Sequence, residues 1–493
     1  MPPAAPDAVL LTPDQQAATE AFASWLKGPA EGRPFVLSGY AGTGKTTLSM
    51  AFLVQVEAAG LCWTVVAPTH KAVGVLRSHL AAVALTPTWY PSTIHRLLRL
   101  KLRRQGDLER CEETGQTAAA LEHLGLVLID EASMVDSQLL EIALRCAHPF
   151  GTRLVFVGDP AQLPPVGEPS SPVFGLARAC CAQLRQVVRH QGPVLRLASG
   201  IREQALPCRR PPPLPPIRTA EGMVALLDRE EWLLAAQTAL RRSAETDNPD
   251  LARILCYTNR SLEQLVPIAR RALHGEMADQ LPVLPGEVLI TRAAVMAPAC
   301  RQGEEIAEEP DMVLGSNREL VVLDVVPERC DLAEFGVAEA DLAGDLLEGG
   351  LAVPLIDTLT ATVQLGDGQL QLRLLPPIGS PARARLDAVL GRLRAAARAA
   401  EASAARALWR RFFLVRDAFA SLGPAAVLTV HRSQGSTFAE VFVDADVFWP
   451  KDAVLRRQLV YVAVSRASQA VSLVAGSASH ADQQLWREWL QSG

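Results

Sequence analysis

Short apolar runs alternate with helix-period stretches through the first third of the chain, the rhythm that a parallel α/β sheet requires. Pro34–Ser38, Cys62–Ala67, Leu124–Ile129 and Arg153–Val157 read as strands, each ending at a Gly, Pro or acidic residue. Between the first two, Lys45–Ala59 reads as a helix closed by Gly60 as its C-cap. One stretch breaks the rhythm. Leu98, Leu100 and Leu102 alternate with Arg99, Lys101 and Arg103, and Gln105-Gly106-Asp107 leads into a polar run ending at Thr117. That period of two around a Gly turn predicts a hairpin inserted between two core strands.

Arg209 and Arg210 precede a proline-rich run, 211–216, that reads as a stiff linker and a domain boundary. A second α/β region follows, with a strand at Ala252–Thr258 and a helix from Ser261, and it is interrupted near Gly286. The interruption holds the β-like runs Val288–Thr291, Leu320–Val326 and Leu370–Leu375, then one long Arg/Ala-rich helix over Ala382–Arg416. The α/β pattern resumes with strands at Ala426–Val430 and Glu440–Val443, a helix to about Arg466 and a strand at Ala470–Val474.

Composition refines this picture. The chain has 493 residues, 49% of them hydrophobic and 20% charged, enough to bury the cores of several domains. A net charge of −5 argues against a nucleic-acid partner until its distribution is considered. Residues 303–350 hold fourteen acids and two arginines, so the remaining chain carries +7. That permits phosphate binding by a mildly basic body. No apolar stretch reaches the roughly 18 uncharged residues of a membrane span. Met1–Pro6 has neither the charge nor the apolar core of a secretory signal. Nine cysteines without a CxxC or His/Cys cluster read as reduced thiols, with Cys180 and Cys181 as packing residues. A cytoplasmic protein with no membrane partner is expected.

Candidate chemistry begins at Gly39-Tyr40-Ala41-Gly42-Thr43-Gly44-Lys45-Thr46, a complete GxxxxGKT after a strand and opening a helix. Backbone amides of Gly39, Gly42, Thr43, Gly44, Lys45, Thr46 and Thr47 would wrap the phosphates of ATP at the positive end of the helix dipole. Lys45 reaches the β- and γ-phosphates, and the Thr46 hydroxyl ligates Mg²⁺. The run Leu126-Val127-Leu128-Ile129 delivers Asp130 and Glu131 to the end of a buried strand. Asp130 then holds Mg²⁺ through water and Glu131 polarises the attacking water. Phosphoryl transfer also needs positive charge on the transferring group; Arg189 and Arg466 are candidates that spacing alone cannot select.

On these residues the chain resembles superfamily 1 helicases of the RecD/Dda-like branch (superfamily 1B), with motifs in the family's order from residue 11 to 474. Leu11-Thr12-Pro13-Asp14-Gln15 resembles the Q motif, which implies that Gln15 reads adenine; the residues themselves also predict a helix N-cap at Thr12. Ala67–Ala72 is similar to motif Ia and Ser92–His95 to motif Ib. That implies single-strand contacts by Thr69, His70, Thr93 and His95. Val157–Val166 resembles motif III, with Gln162 sensing the γ-phosphate, and its Gln-Leu-Pro-Pro-Val continuation is that of the 5′→3′ enzymes. Leu184–Arg189 is similar to motif IV and selects Arg189; Tyr461–Ala467 is similar to motif VI and selects Arg466. Val430–Thr437 resembles motif V. It implies that Thr429 and His431 face DNA while Gln434 and Gly435 face the nucleotide.

The resemblance implies an α/β protein with two RecA-like P-loop domains on parallel sheets. Domain 1A would comprise 1–96 and 118–206, and domain 2A 207–285 and 420–493. A pin-like hairpin 1B would occupy 97–117, and a β-rich, SH3-like insertion 2B with a long helix 286–419. The implied activity is ATP-dependent, Mg²⁺-dependent unwinding of fork DNA by a monomer translocating along a single strand. An RNA helicase of the Upf-like branch and an ATP-gated single-strand clamp remain open alternatives.

Overall fold

A computed structural model describes residues 11–491, except 30–31, 106–107, 187–191, 205, 207–209, 298–311, 338–354 and 367. Arg189 and the hairpin tip at Gly106-Asp107 therefore lie outside the described residues. The chain opens with α1 (Pro13–Lys27), β1 (Phe35–Gly39), α2 (Lys45–Ala58), β2 (Trp63–Ala67), α3 (His70–Ala82), β3 (Ser92–Thr93) and α4 (Ile94–Leu97). Next come β4 (Lys101–Gln105), β5 (Leu108–Glu112), β6 (Leu126–Ile129), α5 (Ser137–Ala147), β7 (Arg153–Gly158), β8 (Cys180–Leu184) and α6 (Pro193–Glu203). They lead to β9 (Leu214–Thr219), β10 (Gly222–Leu227), α7 (Arg229–Glu245), β11 (Ala252–Cys256), α8 (Asn259–His274) and α9 (Met277–Gln280). The interruption then holds β12 (Val288–Thr291), β13 (Val295–Met296), β14 (Met312–Leu314), β15 (Glu319–Asp331), β16 (Leu355–Leu365) and β17 (Gly368–Arg373). Helices α10 (Pro381–Ala399) and α11 (Ala402–Asp417) complete it, before β18 (Leu422–Pro424), β19 (Val427–Thr429), β20 (Phe438–Val443), α12 (Ala453–Ser465), β21 (Ala467–Val474) and α13 (His480–Gln491).

These elements form two compact units. The first takes residues 1–101, 113–264 and 427–493; the second takes 102–112 and 265–426. The first unit contains two six-stranded sheets, ordered β3-β2-β6-β7-β1-β8 and β19-β11-β20-β21-β10-β9. Every pairing in the first sheet is parallel, so the loops after β1, β7, β6, β2 and β3 all leave from one edge. That edge is where open α/β sheets bind ligands. In the second sheet only β9 runs antiparallel, against β10.

Local chemistry explains the first elements. Thr12 caps α1 in a reciprocal box: its hydroxyl accepts from Gln15 N at 3.3 Å, and Gln15 Oε1 accepts from Thr12 N at 3.1 Å. Phe22 of α1, Phe35 of β1 and Phe52 of α2 form a fully buried aromatic knot, with Phe22 stacked on Phe52 at 4.0 Å between centroids. The opposite face of the sheet buries Ile94 and Leu97 of α4 and Leu139, Leu140 and Ile142 of α5.

Several elements differ from expectation. The proline-rich run is more than a linker, because Leu214–Thr219 forms edge strand β9 with Pro215 and Pro216 inside it. An edge position tolerates the missing N–H groups. The hairpin is shorter than its alternation suggests, since Leu98 is buried in the first sheet's core and the strand begins at Lys101. The single long helix is two, α10 and α11, broken where Ala400 turns extended at φ −81°, ψ 156°. The chain folds back there because two apolar faces meet, with Leu386, Val389 and Leu393 packed in one core with Phe412 and Phe413.

In the second unit β17-β16-β15-β12-β18 form an antiparallel sheet. A bridge between Leu374 and Ala420 brings its two edges together. The strand expected at Leu320–Val326 extends over all of Glu319–Asp331 because β12 pairs with its first residues and β16 with the stretch from Val321 to Asp331. A buried pair, Arg270 Nε to Glu287 Oε1 at 2.8 Å, pins α8 to the start of this sheet. Within the same unit Arg416 of α11 bonds Glu109 of β5 at 2.6 Å.

The aromatic knot yields a test. Phe52→Ala should lower the free energy of unfolding by about 3–5 kcal/mol in urea titrations; a loss below about 1 kcal/mol would mean that the knot does not hold α2 to β1.

Candidate functional site

The GxxxxGKT turn occupies the loop between β1 and α2. Gly42 and Gly44 both adopt φ 81°, in the left-handed region that glycine enters without cost. Gly44 is the N-cap of α2, so the first amides of that helix open onto the loop. A Cβ at Gly39 would lie 2.7 Å from Thr43 Oγ1 and 3.0 Å from Leu184 Cβ, which excludes any side chain there. Thr43 is wholly buried, and its hydroxyl donates to Tyr40 O at 2.9 Å. Lys45 Nζ lies over the loop and donates to Gly39 O at 2.7 Å and Tyr40 O at 2.9 Å. Thr46 is half-buried and Thr47 exposed.

Two strands away, β6 ends at Asp130 and Glu131. Some edge of Asp130 reaches the surface, yet its carboxyl group sits deep among protein atoms. Burial, and then the neighbouring Glu131 carboxylate, push it up to about 7; the Glu131 amide and the Lys45 ammonium oppose that rise. Glu131 adopts φ 52°, a left-handed conformation for a residue with a side chain, and its amide donates to Asp130 Oδ1 at 2.8 Å. The two crowded carboxylates are hard oxygen donors of the kind that suits Mg²⁺, whose charge would offset their repulsion, and the half-buried Thr46 hydroxyl at the start of α2 is a further candidate donor.

Between β1 and β6 lies β7, and the loop after it carries Asp159 and Gln162. Asp159 is wholly buried: one oxygen accepts from Ala161 N at 2.9 Å, the other from Tyr461 Oη at 2.6 Å. The same Tyr461 hydroxyl accepts from Ala41 N of the phosphate loop at 3.0 Å. One phenol of α12 thus bridges two loops of the other sheet. Burial and the Asp159 charge hold Tyr461 well above an ordinary tyrosine, so it stays protonated and donating. Tyr461 was not singled out from the sequence; its place in the same run as Arg466 was the only signal.

The other candidates distribute as follows. Gln15 donates from Nε2 to Thr43 O at 3.1 Å while its oxygen caps α1, so its amide braces the loop and keeps one N–H and one lone pair. Asp14 accepts from the Arg185 and Gln186 amides, which hold its carboxyl below the usual range, and thereby anchors the segment leading to Arg189. Gln162 Oε1 is buried without a hydrogen-bond partner among the described residues. Gln434 Nε2 reaches Leu163 O at 3.4 Å. Gly435, at φ 73°, leaves room for a Cβ only 3.2 Å from Ala72 Cβ, so its loop packs closely on the start of α3. Arg466 is buried, and its guanidinium donates to Val462 O, Ser436 O and Ser465 Oγ, all neutral. The structure thus brings Tyr461, not Arg466, into hydrogen-bond contact with the phosphate loop.

Among the residues expected to touch a strand, Thr69 and Thr93 are N-caps of α3 and α4, accepting from Ala72 N at 3.3 Å and Arg96 N at 3.4 Å. His70 opens α3, Thr429 ends β19 and His431 lies in the turn that follows it. Burial pushes the His95 imidazole down against the pull of Asp136, and burial also lowers His431. Both rings are therefore neutral at pH 7 and would stack or hydrogen-bond instead of pairing with phosphate. The His431 ring lies 6.1 Å from that of Tyr257.

Phosphate loop, carboxylate pair and two RecA-like sheets define a P-loop NTPase. Comparison with known proteins agrees: residues 10–205 match an AAA domain and residues 424–474 a UvrD-like helicase C-terminal domain. The chain is 24% identical over 451 residues to the ATP-dependent DNA helicase Dda of Enterobacteria phage T4, covering 89% of this chain and 93% of that one. It is 34% identical over 188 residues to the ATP-dependent RecD2 DNA helicase of Deinococcus radiodurans, covering 37% of this chain and 24% of that one. An uncharacterised protein of Acanthamoeba polyphaga mimivirus is 32% identical over 155 residues, of which the chain spans 31% of the length. A Bacteroides Pif1 helicase solved with ADP-AlF3 and single-stranded DNA aligns over 99% of both chains at 15% identity and a TM-score of 0.43. The chain is homologous to the Dda and RecD2 helicases and joins an AAA domain to a UvrD-like helicase C-terminal domain. Among the described residues, no helix is long and apolar enough to cross a membrane.

The Asp130 environment has a measurable signature. Between pH 4 and about 7 the folded chain holds a proton that the unfolded chain releases, so stability in metal-free buffer falls as pH rises through that window. Asp130→Asn should remove that slope and raise metal-free stability at pH 8 by up to about 4 kcal/mol. An unchanged slope in the variant would show that Asp130 ionises normally.

Proposed function

We propose that this chain is an ATP-dependent DNA helicase of superfamily 1B that moves 5′→3′ along a single strand and opens duplex ahead of it. The observation that carries the reading is the Tyr461 hydroxyl, shared between the Ala41 amide and Asp159. It makes the second sheet sensitive to what the phosphate loop binds, as a motor needs. Homology to Dda and RecD2 supports DNA as the substrate, and the Gln-Leu-Pro-Pro-Val run at 162–166 supports the polarity.

The chemistry follows from the residues in place. Amides of Gly42–Thr47 and the Lys45 ammonium take the phosphates, Lys45 exchanging its two carbonyl partners for phosphate oxygens. Mg²⁺ held by Thr46 and Asp130 would neutralise the β- and γ-phosphate charge. Glu131 orients a water and accepts its proton as the water oxygen bonds to the γ-phosphorus and the bond to ADP breaks. The unpaired Gln162 oxygen is an acceptor for that water's second hydrogen. Arg466 is a buried cation surrounded by neutral acceptors, an environment that a γ-phosphate would complete. Arg189 would add charge from the other side. Closure is driven only by the difference in ATP affinity between closed and open forms. Thr69, His70, Thr93, His95, Thr429 and His431 then exchange their grip on the strand, largely through its backbone and therefore without reading sequence.

DNA forks carrying only a 5′ or only a 3′ tail should separate these claims, with displacement on the 5′-tailed fork alone and none by Lys45→Ala. Displacement only on the 3′-tailed fork would reverse the polarity, and displacement only on the equivalent RNA forks would reassign the substrate.

Hydrolysis should distinguish the two groups of α12. Arg466→Ala should cut kcat by about 10³-fold while ATP still binds. Tyr461→Phe should keep ATP binding but lose at least about tenfold of the single-strand-stimulated rate, because the buried Asp159 loses its donor. If Tyr461→Phe lowered only thermal stability and left the stimulated rate intact, the phenol would be structural.

A further inference from the structure

Beside α4 lies a cavity of about 410 Å³ that none of the nucleotide chemistry uses. It is lined by Trp89, Tyr90, Ser92, Arg96, Leu97, Arg99 and Gln116. Tyr90 is 74% exposed, the most open aromatic ring on this wall. One face is taken: the Arg77 guanidinium stacks on the ring at 4.3 Å and donates to Pro91 O at 3.1 Å, which fixes the ring's orientation. The other side of the ring is left to solvent.

The rest of the wall is pre-built. The Trp89 carbonyl accepts from Thr64 Oγ1 at 2.8 Å, and its ring packs on the sheet's core. Arg99 is held in the left-handed region at φ 54°. Its carbonyl accepts from Thr114 Oγ1 at 3.0 Å, and its Nη1 donates to Gln116 Oε1 at 2.7 Å, leaving the Gln116 amide N–H groups as donors. That conformation closes α4, with the Leu100 amide donating to His95 O at 3.0 Å, and it fixes where Arg99 stands on the wall. Arg96 is exposed, and its guanidinium has no partner among the described residues. No carboxylate lines the cavity.

An open aromatic face, two guanidinium groups and an amide donor, without an acid, match a nucleobase with its adjoining phosphate. Position favours the same ligand: Arg96 and Leu97 lie in α4 with His95, directly after Thr93. We propose that this cavity holds one unpaired base of a single strand, stacked on Tyr90, with the neighbouring phosphate on Arg96. The assignment rests on the single-strand reading above and adds a stacking site to its backbone contacts.

The probe is an oligothymidine containing 2-aminopurine, followed by anisotropy for affinity and by fluorescence quenching for stacking. Tyr90→Ala should weaken binding by about 5- to 100-fold and relieve quenching, while Tyr90→Phe keeps both. Arg96→Gln should lower the log–log salt slope by about 0.7, and it reads the site independently should Tyr90→Ala fold poorly. If the wild-type chain binds the oligonucleotide and these variants equal it in affinity, quenching and slope, the cavity is not a base site. If the wild-type chain binds no oligonucleotide, the single-strand reading falls, and this one with it.

Discussion

Parallel pairing around β1 is the constraint on which the site depends. Because β2, β6, β7 and β1 all run the same way, the phosphate loop, the Asp159 loop and the Asp130-Glu131 corner emerge side by side from one edge. An antiparallel strand anywhere among them would send one of these groups to the opposite edge. The long crossovers that parallel pairing demands supply the helices that bury both faces. They also supply helix N-termini at that edge, capped at Gly44, Thr69 and Thr93.

That edge stores electrostatic tension. Asp130 and Glu131 repel each other in a packed corner, Glu131 sits in a left-handed conformation, and Lys45 binds only neutral carbonyls. Each of these is costly alone, and under the proposed function a phosphate with a divalent cation would offset the charge terms together. The arrangement places destabilisation where binding energy can be drawn upon.

Communication to the second sheet runs through a few buried polar contacts. Tyr461 links the phosphate loop to Asp159, and Gln434 links its own loop to Leu163. A salt bridge from Lys71 to Asp250 at 3.6 Å adds an exposed tie. Buried hydrogen bonds of this kind are sensitive to displacement, because a buried acceptor such as Asp159 would pay its desolvation penalty if it lost the Tyr461 donor. Under the proposed function, small movements at the phosphate loop would therefore be felt at the second sheet.

Much of this was legible in the residues alone, for definite reasons. The phosphate loop depends on glycines at fixed spacing, the carboxylates on an apolar run ahead of them, and the cap at Thr12 on its neighbours three residues on; all are local properties. What sequence could not locate were features set by distant partners. Tyr461 becomes a bridge only because Ala41 and Asp159 come within reach of it. The prolines of β9 are tolerated only because that strand lies at an edge, and the helix over 382–416 breaks only because its apolar faces pack on each other. The paired residues and motifs were thus determined by sequence, while the tertiary structure decided which side chain touches the phosphate loop. A hydrogen bond spanning 420 positions has no periodicity or spacing to reveal it.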